Sequence, residues 1–231
     1  MKNQKKAVVL LSSGLDSTVN LFEAMKHGHE VVLALTFNYG QRAAKQEIAH
    51  SAKLAAYMGV PHKVMDVTWF KDFNKSSLLV DDQIVPTGKD VEIDNLEKSA
   101  ESAKSVWVPN RNGIFINIAA AYAEALGADA VIPGFNAEEA ATFPDNSKEF
   151  LEQATKSLFY STANHVKVGC YTAHLKKPDI VRLGQGLKVP WELVWPCYFA
   201  GEKWCGECES CQRAKRAFDS ANIDVSHLFK G

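Results

Sequence analysis

Ala7-Val8-Val9-Leu10-Leu11-Ser12-Ser13-Gly14-Leu15-Asp16-Ser17-Thr18 is the stretch that decides the fold. Ala7–Leu11 is a short apolar run with β-branched residues, bounded by Ser-Ser-Gly, and reads as a buried strand. Ser17–Lys26 follows, with Leu21, Phe22 and Met25 at helical spacing. A strand, a tight loop and a helix in succession gather free backbone N–H groups and the positive helix end at one point. That is a site for phosphate oxygens. Ser12, Ser13, Ser17 and Thr18 add hydroxyl donors, and Gly14 lets the backbone approach a ligand or adopt φ > 0. The plainer alternative is a helix capped by Ser and Asp after a strand.

The segments around this unit repeat its alternation. Glu30–Phe37 reads as a second buried strand, Ala44–Met58 as a helix stopped by Gly59 and Pro61, and His62–Val67 as a third strand. This βαβαβ order predicts an α/β fold, a Rossmann-like parallel sheet with right-handed crossovers and helices on both faces. Ligands of such sheets lie outside the carboxyl ends of the strands. Asp72–Ser105 breaks the pattern with Lys89, Asp90, Glu92, Asp94, Glu97, Lys98 and Glu101, and reads as a mobile excursion, a lid or a solvated insertion. Regularity returns with a helix over Ile114–Leu126, a strand over Ala130–Pro133 and a helix over Lys148–Tyr160. A strand over Val166–Tyr171 and helices over Pro178–Leu187 and Gln212–Ala221 complete the reading.

Composition excludes several classes. The 231 residues carry 26 Lys+Arg against 27 Asp+Glu, which argues against a nucleic-acid-coating surface. No apolar run is long enough for a transmembrane helix, and the stretch after Lys2, Lys5 and Lys6 is too short for a signal peptide, so the chain reads as cytoplasmic.

Four of the five cysteines, Cys197, Cys205, Cys208 and Cys211, fall in one C-x7-C-x2-C-x2-C segment. In a reducing compartment this favours metal over disulfides. Four thiolates suit a closed, structural Zn²⁺ site, one ion per chain. An iron–sulfur centre is the rival, with a less usual spacing to the fourth cysteine. Cys170 stands apart and reads as a small buried hydrophobe.

The first loop lacks the lysine of the Walker A pattern and the glycines of the dinucleotide fingerprint. Ser12-Ser13-Gly14-Leu15-Asp16-Ser17 resembles instead the Ser-Gly-Gly-x-Asp-Ser loop of the PP-loop ATP pyrophosphatase superfamily, with Ser13 in place of a glycine. With Phe37-Asn38-Tyr39-Gly40-Gln41-Arg42, Val108-Pro109-Asn110-Arg111-Asn112, Gly134-Phe135-Asn136-Ala137-Glu138-Glu139, Phe143-Pro144-Asp145 and the cysteine spacing, nearly the whole chain resembles the QueC family, the 7-cyano-7-deazaguanine synthases of queuosine and archaeosine precursor synthesis. Ala43 stands where family members often carry His, so no imidazole role transfers.

The resemblance implies an ATP-binding domain over residues 1–190, with 72–105 as its mobile insertion, and a zinc-binding segment over 191–231 packed on it. It implies ATP, ammonia and 7-carboxy-7-deazaguanine as substrates, Mg²⁺ with the ATP, a homodimer, and neither membrane nor nucleic acid as partner. ATP would lie on Leu11, Ser12, Ser13, Gly14, Leu15, Asp16, Ser17, Thr18, Val19, Asn20 and Leu21. Ser17, Asp16 and Arg111 would carry catalysis, with Asp16 either holding metal or rigidifying the loop. Arg111, Asn112, Glu138 and Glu139 would contact the substrate, a carboxylate accepting from the N–H edge of the deazapurine, while Tyr39 and Phe135 flank a ring or pack in the core. Two rivals stand beside this reading. One is another PP-loop enzyme, a tRNA sulfur transferase or amide-forming synthetase. The other is a non-catalytic zinc-bearing nucleic-acid module using Arg213, Lys215 and Arg216.

Overall fold

Strands β1 (Lys6–Leu10), β2 (Glu30–Asn38), β3 (His62–Asp66), β4 (Ala130–Ile132) and β5 (Lys167–Val168) form one parallel sheet in the order β3-β2-β1-β4-β5. The computed structural model describes residues 4–80, 83–93 and 103–231. Asp94, Glu97, Lys98 and Glu101 of the polar excursion lie outside the described residues.

The apolar run of β1 is buried on both faces because alternate side chains enter two cores. Ala7 and Val9 pack with one cluster and Val8 with the other. Val131 and Ile132 of β4 divide in the same way. The first core takes apolar residues of α1 (Leu15–Lys26), α2 (Ala44–Met58), α6 (Lys177–Gly186) and α7 (Glu209–Ser220). The second takes those of α3 (Arg111–Ala125) and α5 (Lys148–Ser161). A short helix, α4 (Ala137–Ala140), follows β4. The strand order reverses between β1 and β4, so the loops after these two strands flank one crevice.

Several element ends differ from the sequence reading. α1 starts at Leu15, two residues early, because Gly14 is its extended N-cap and the Thr18 amide already donates to the Gly14 carbonyl at 3.0 Å. α3 starts at Arg111 because left-handed Asn110 (φ 53°) turns the chain into the helix. α7 starts at Glu209, directly after Cys208 at the N-cap. Only Lys167–Val168 of the expected Val166–Tyr171 strand is strand. Beyond it the Tyr171 amide donates to Asn20 Oδ1 at 2.8 Å and the Thr172 hydroxyl to the Phe135 carbonyl at 2.6 Å, which draws the chain off the sheet.

The described parts of the excursion are tied at several points. The Arg42 guanidinium donates to the carbonyls of Ser77 (2.8 Å) and Val80 (2.9 Å), and the Ser77 amide donates to the Ser105 carbonyl at 2.8 Å. The Gly88 amide reaches the Glu207 carbonyl at 3.0 Å, so this segment abuts the cysteine cluster. Among the described residues no helix is long and apolar enough to cross a membrane.

Candidate active site

The loop after β1 is held by its own hydroxyls. Ser17 Oγ lies 3.1 Å from Ser12 Oγ, accepts from the Ser12 amide at 3.2 Å and donates to the Gly14 carbonyl at 3.2 Å. Ser13 takes the left-handed conformation (φ 59°) at the position where the superfamily loop has glycine. Its hydroxyl turns inward to the Ser12 and Glu47 carbonyls, and its own carbonyl accepts from the Trp195 amide at 2.8 Å. Leu11, Ser12, Gly14, Leu15, Asp16 and Ser17 line a cleft over the carboxyl ends of the strands. The remaining residues of the expected nucleotide set are buried behind it. Val19 and Leu21 pack in the first core, and Asn20 donates to the Asp16 carbonyl at 2.8 Å. Thr18 is fully buried, with no hydrogen-bond partner for its hydroxyl among the described residues.

Lys177 was not singled out by the sequence. Its ammonium lies 2.8 Å from Asp16 Oδ2 and 2.8 Å from Glu139 Oε1, and Asn136 Nδ2 donates to Asp16 at 3.0 Å. Burial alone would push the Lys177 amine down, but the two carboxylates outweigh it and hold it above the ordinary lysine value. Burial raises Asp16, with Lys177 opposing, whereas Lys177 and Asn136 overcome burial at Glu139 and lower it. The available sequence signal was a lysine in the first turn of a helix, where the macrodipole disfavours a cation unless carboxylates compensate it.

Gly134 brings the loop after β4 against this unit. A Cβ there would sit 2.4 Å from the Ser17 backbone N and Cα, so the two loops touch through backbone alone. The adjacent α4 sends its carboxylates in different directions. Glu139 lines the cleft, but Glu138 turns away from it. Glu138 Oε1 accepts from the Lys177 amide at 2.9 Å, and Oε2 is paired with Arg213 and Arg216. With its oxygens so engaged, Glu138 faces α7 rather than the cleft where the sequence reading put it.

Arg111, Asn112 and Asp145 line the far wall. Arg111 donates to the Tyr39 hydroxyl at 3.4 Å and lies 5.7 Å from the Tyr39 ring centre. Burial raises Asp145, with Arg111 opposing. Tyr39 and Phe135 line the cleft yet also pack in the second core.

The Cys197, Cys205, Cys208 and Cys211 sulfurs all lie within 4.8 Å of one another and can hold a metal ion. The Cys205 and Cys211 sulfurs are 3.8 Å apart, too far for a disulfide. Backbone amides of Phe199 and Cys208 point at sulfurs of the cluster at 3.4 and 3.3 Å. Cys211 and Arg213 share α7, so the cluster is joined to the cleft through Arg213, Glu138 and Lys177.

Residues 6–222 match the family described as Queuosine biosynthesis protein QueC. The chain belongs to the QueC family. Relatives named 7-cyano-7-deazaguanine synthase span the same length. The one from Bdellovibrio bacteriovorus is 81% identical, covering 100% of both chains. One from Desulforamulus reducens is 52% identical over 96% of this chain and 97% of its own. A relative from Methanobrevibacter smithii is 44% identical over 95% of each. Among solved structures, the tRNA thiolase NcsA of Methanococcus maripaludis, with its 4Fe-4S cluster, matches with a TM-score of 0.50 and 19% identity. The match covers 98% of this chain and 68% of NcsA, and it is a likeness of fold. This QueC-family chain thus carries a five-stranded parallel sheet with the Ser12–Ser17 loop in the cleft beside it.

Two rival features weaken against the geometry. Cys170 is outside the cleft lining, and burial pushes its thiol up, which disfavours a nucleophilic thiolate. Arg213 and Arg216 are engaged by Glu209 and Glu138, leaving Lys215 as the exposed cation of that trio.

Proposed function

We propose that this chain converts 7-carboxy-7-deazaguanine and ammonia to 7-cyano-7-deazaguanine, with an adenylation by ATP before each of two steps. ATP first activates the carboxylate, and ammonia displaces AMP to give the amide. ATP then activates the amide oxygen, and loss of AMP gives the nitrile. The full-length identity to relatives of that name supports the reading. The observation that carries it is a single cleft in which the phosphate loop faces both Lys177 and Arg111. A carboxylate oxygen leaves poorly and AMP leaves well, so the task for these residues is charge stabilisation around the α-phosphorus.

In this reading the Ser12 and Ser17 hydroxyls and the amides of the loop hold the leaving pyrophosphate. Lys177, kept cationic by Asp16 and Glu139, sets positive charge beside them. Arg111 takes the acid or a phosphate oxygen, and Glu139 or Asp145 accepts from the deazapurine N–H edge. Asp16 suits Mg²⁺ because its buried Oδ1 has no hydrogen-bond partner among the described residues. When bound with ATP, the ion would neutralise phosphate charge.

Zinc suits the cysteine cluster. Tetrahedral thiolates at about 2.3 Å from one ion stand about 3.8 Å apart, which is the Cys205–Cys211 separation of 3.8 Å. A multi-iron cluster needs a wider cage. The ion would clamp the segment carrying α7. The homodimer implied by the resemblance is part of this proposal, and sedimentation equilibrium tests it.

Incubation with ATP, Mg²⁺, ammonium and the deazaguanine acid should release the nitrile and AMP. Release of ADP in place of AMP would overturn the adenylation reading.

A further inference from the structure

Five carboxylates line the cleft, and three of them are held in ion pairs. Asp16 and Glu139 share Lys177, Glu209 pairs with Arg213, and Asp145 accepts from Asn146 and faces Arg111. Glu47 is different. It makes no ion pair among the described residues, and its one hydrogen bond comes from Gln41 Nε2 to Oε2 at 2.8 Å. Gln41 is itself fixed, donating to the Phe37 carbonyl at 3.0 Å and accepting from the Tyr39 amide at 3.0 Å. Glu47 Oε1 accepts from no described residue. The first turn of α2 abuts the phosphate loop, where Ser13 Oγ lies 3.4 Å from the Glu47 carbonyl. The carboxylate therefore stands on the wall that rises from the loop.

From this placement we infer that Glu47 takes the proton from ammonium beside the activated acid. The inference rests on the adenylating reading above. Ammonium has no lone pair to attack with, and it is the main form of the nucleophile at neutral pH. One N–H bond of ammonium breaks and its proton goes to a Glu47 carboxylate oxygen. The freed lone pair then forms the C–N bond to the acyl carbon as the C–O bond to AMP breaks, and the electron pair leaves with the AMP phosphate. A second N–H proton departs with that phosphate, leaving the neutral amide.

The charge environment agrees with the role. Burial lifts the Glu47 carboxyl to about 7, with the Gln41 amide and the Arg111 guanidinium opposing. A base of that strength is better matched to neutral operation than an ordinary carboxylate. The charge that acts on it is that of Arg111 from α3, while Tyr39 at the end of β2, kept un-ionised by burial at neutral pH, adds none.

The test uses the full-length, metal-loaded chain and three readouts: ATP–pyrophosphate exchange with the acid and no ammonium, AMP release with ammonium, and hydroxamate formation with hydroxylamine. Hydroxylamine is largely neutral at pH 7.5 and needs no such base. Glu47→Gln should lower the ammonium-dependent rate about 100-fold and affect exchange and hydroxamate formation far less. In the wild-type chain at fixed total ammonium, the rate should rise to a plateau above about 7. Several results would overturn the inference: equal losses with ammonium and hydroxylamine, a selective loss of exchange, or a rate that keeps climbing with pH as free ammonia accumulates. Absence of exchange in the wild-type chain would instead overturn adenylation itself.

Discussion

Lys177 Nζ lies 2.8 Å from Asp16 Oδ2, tying the first turn of α6 to the first turn of α1 across 161 positions of sequence. The same ammonium serves Glu139, so one cation serves a buried carboxylate and a half-buried one. Lys177→Met leaves those charges facing each other without it, and breaking a buried pair in this way costs about 3–5 kcal/mol. Urea denaturation should show that loss. Asp16→Asn added to Lys177→Met should cost less than the sum of the two single changes, because the residues are in contact. Simple additivity would show that the pair is not coupled.

The loop after β1, the sheet and the cysteine cluster were legible because each is local. Ser12–Thr18 is one continuous stretch, β1 is a run of apolar residues, and three of the cysteines fall within seven residues. The other cleft residues come from distant segments. Lys177 reaches Asp16 only because α6 packs against α1, and Glu47 reaches the cleft only because α2 starts beside Ser13. Glu138 and Glu139 are neighbours of the same type, and their partners send them apart, Arg213 and Arg216 holding one and Lys177 the other. No periodicity in one chain carries that information. The strand at Val166–Tyr171 was legible but its early end after Val168 was not, since Asn20, far away in sequence, captures the Tyr171 amide.

Gly134 is the contact between the two loops of the crevice. In Gly134→Ala the new methyl carbon would lie 2.4 Å from backbone atoms of Ser17, which have no rotamer to yield. Overpacking of this kind costs roughly 1–3 kcal/mol, and here the displaced element is the proposed phosphate site. Thermal melts should fall and the KM for ATP should rise. Gly169→Ala is the control, because nothing lies within 4 Å of its added carbon. A normal KM for ATP in the Gly134 variant would show that the loop tolerates the shift.

Ser13 pays a backbone cost that glycine would not. The left-handed region at φ 59° disfavours a residue with a Cβ by about 1 kcal/mol. Its hydroxyl returns part of this through the Ser12 carbonyl. Ser13→Gly should therefore change stability by less than about 1 kcal/mol and leave turnover near wild type. Ser13→Val, β-branched and buried, should be clearly destabilised. Equal stability of the two variants in chemical denaturation would mean that φ at this position does not matter.

Removing the metal should act at the cleft as well as at the cysteines. α7 begins at Cys208 and carries Cys211, and its Arg213 and Arg216 hold Glu138, which accepts from the Lys177 amide. Metal analysis is expected to give one zinc per chain. Chelation under mild heating should lower the melting temperature and reduce ATP–pyrophosphate exchange together, and added Zn²⁺ should restore both. Full exchange in metal-free protein would uncouple the cluster from the cleft.

Glu47 gives a pH signature in stability that is separate from turnover. Its folded pKa, raised from 4.5 to about 7, means that the native chain binds more protons than the unfolded one between those values. Stability from this group therefore falls as pH rises through that window, and the full cost is present above about 7. At about 1.4 kcal/mol per unit the cost reaches roughly 3 kcal/mol. Glu47→Gln keeps an oxygen to accept from Gln41 and carries no charge, so it removes the slope. The variant should match wild type near pH 4.5 and exceed it by about 1–3 kcal/mol at pH 8. Asp16 and Asp145, also raised by burial, titrate in both proteins and cancel in the difference. A stability difference that stays flat across this range would mean that the Glu47 carboxyl titrates where an exposed one does.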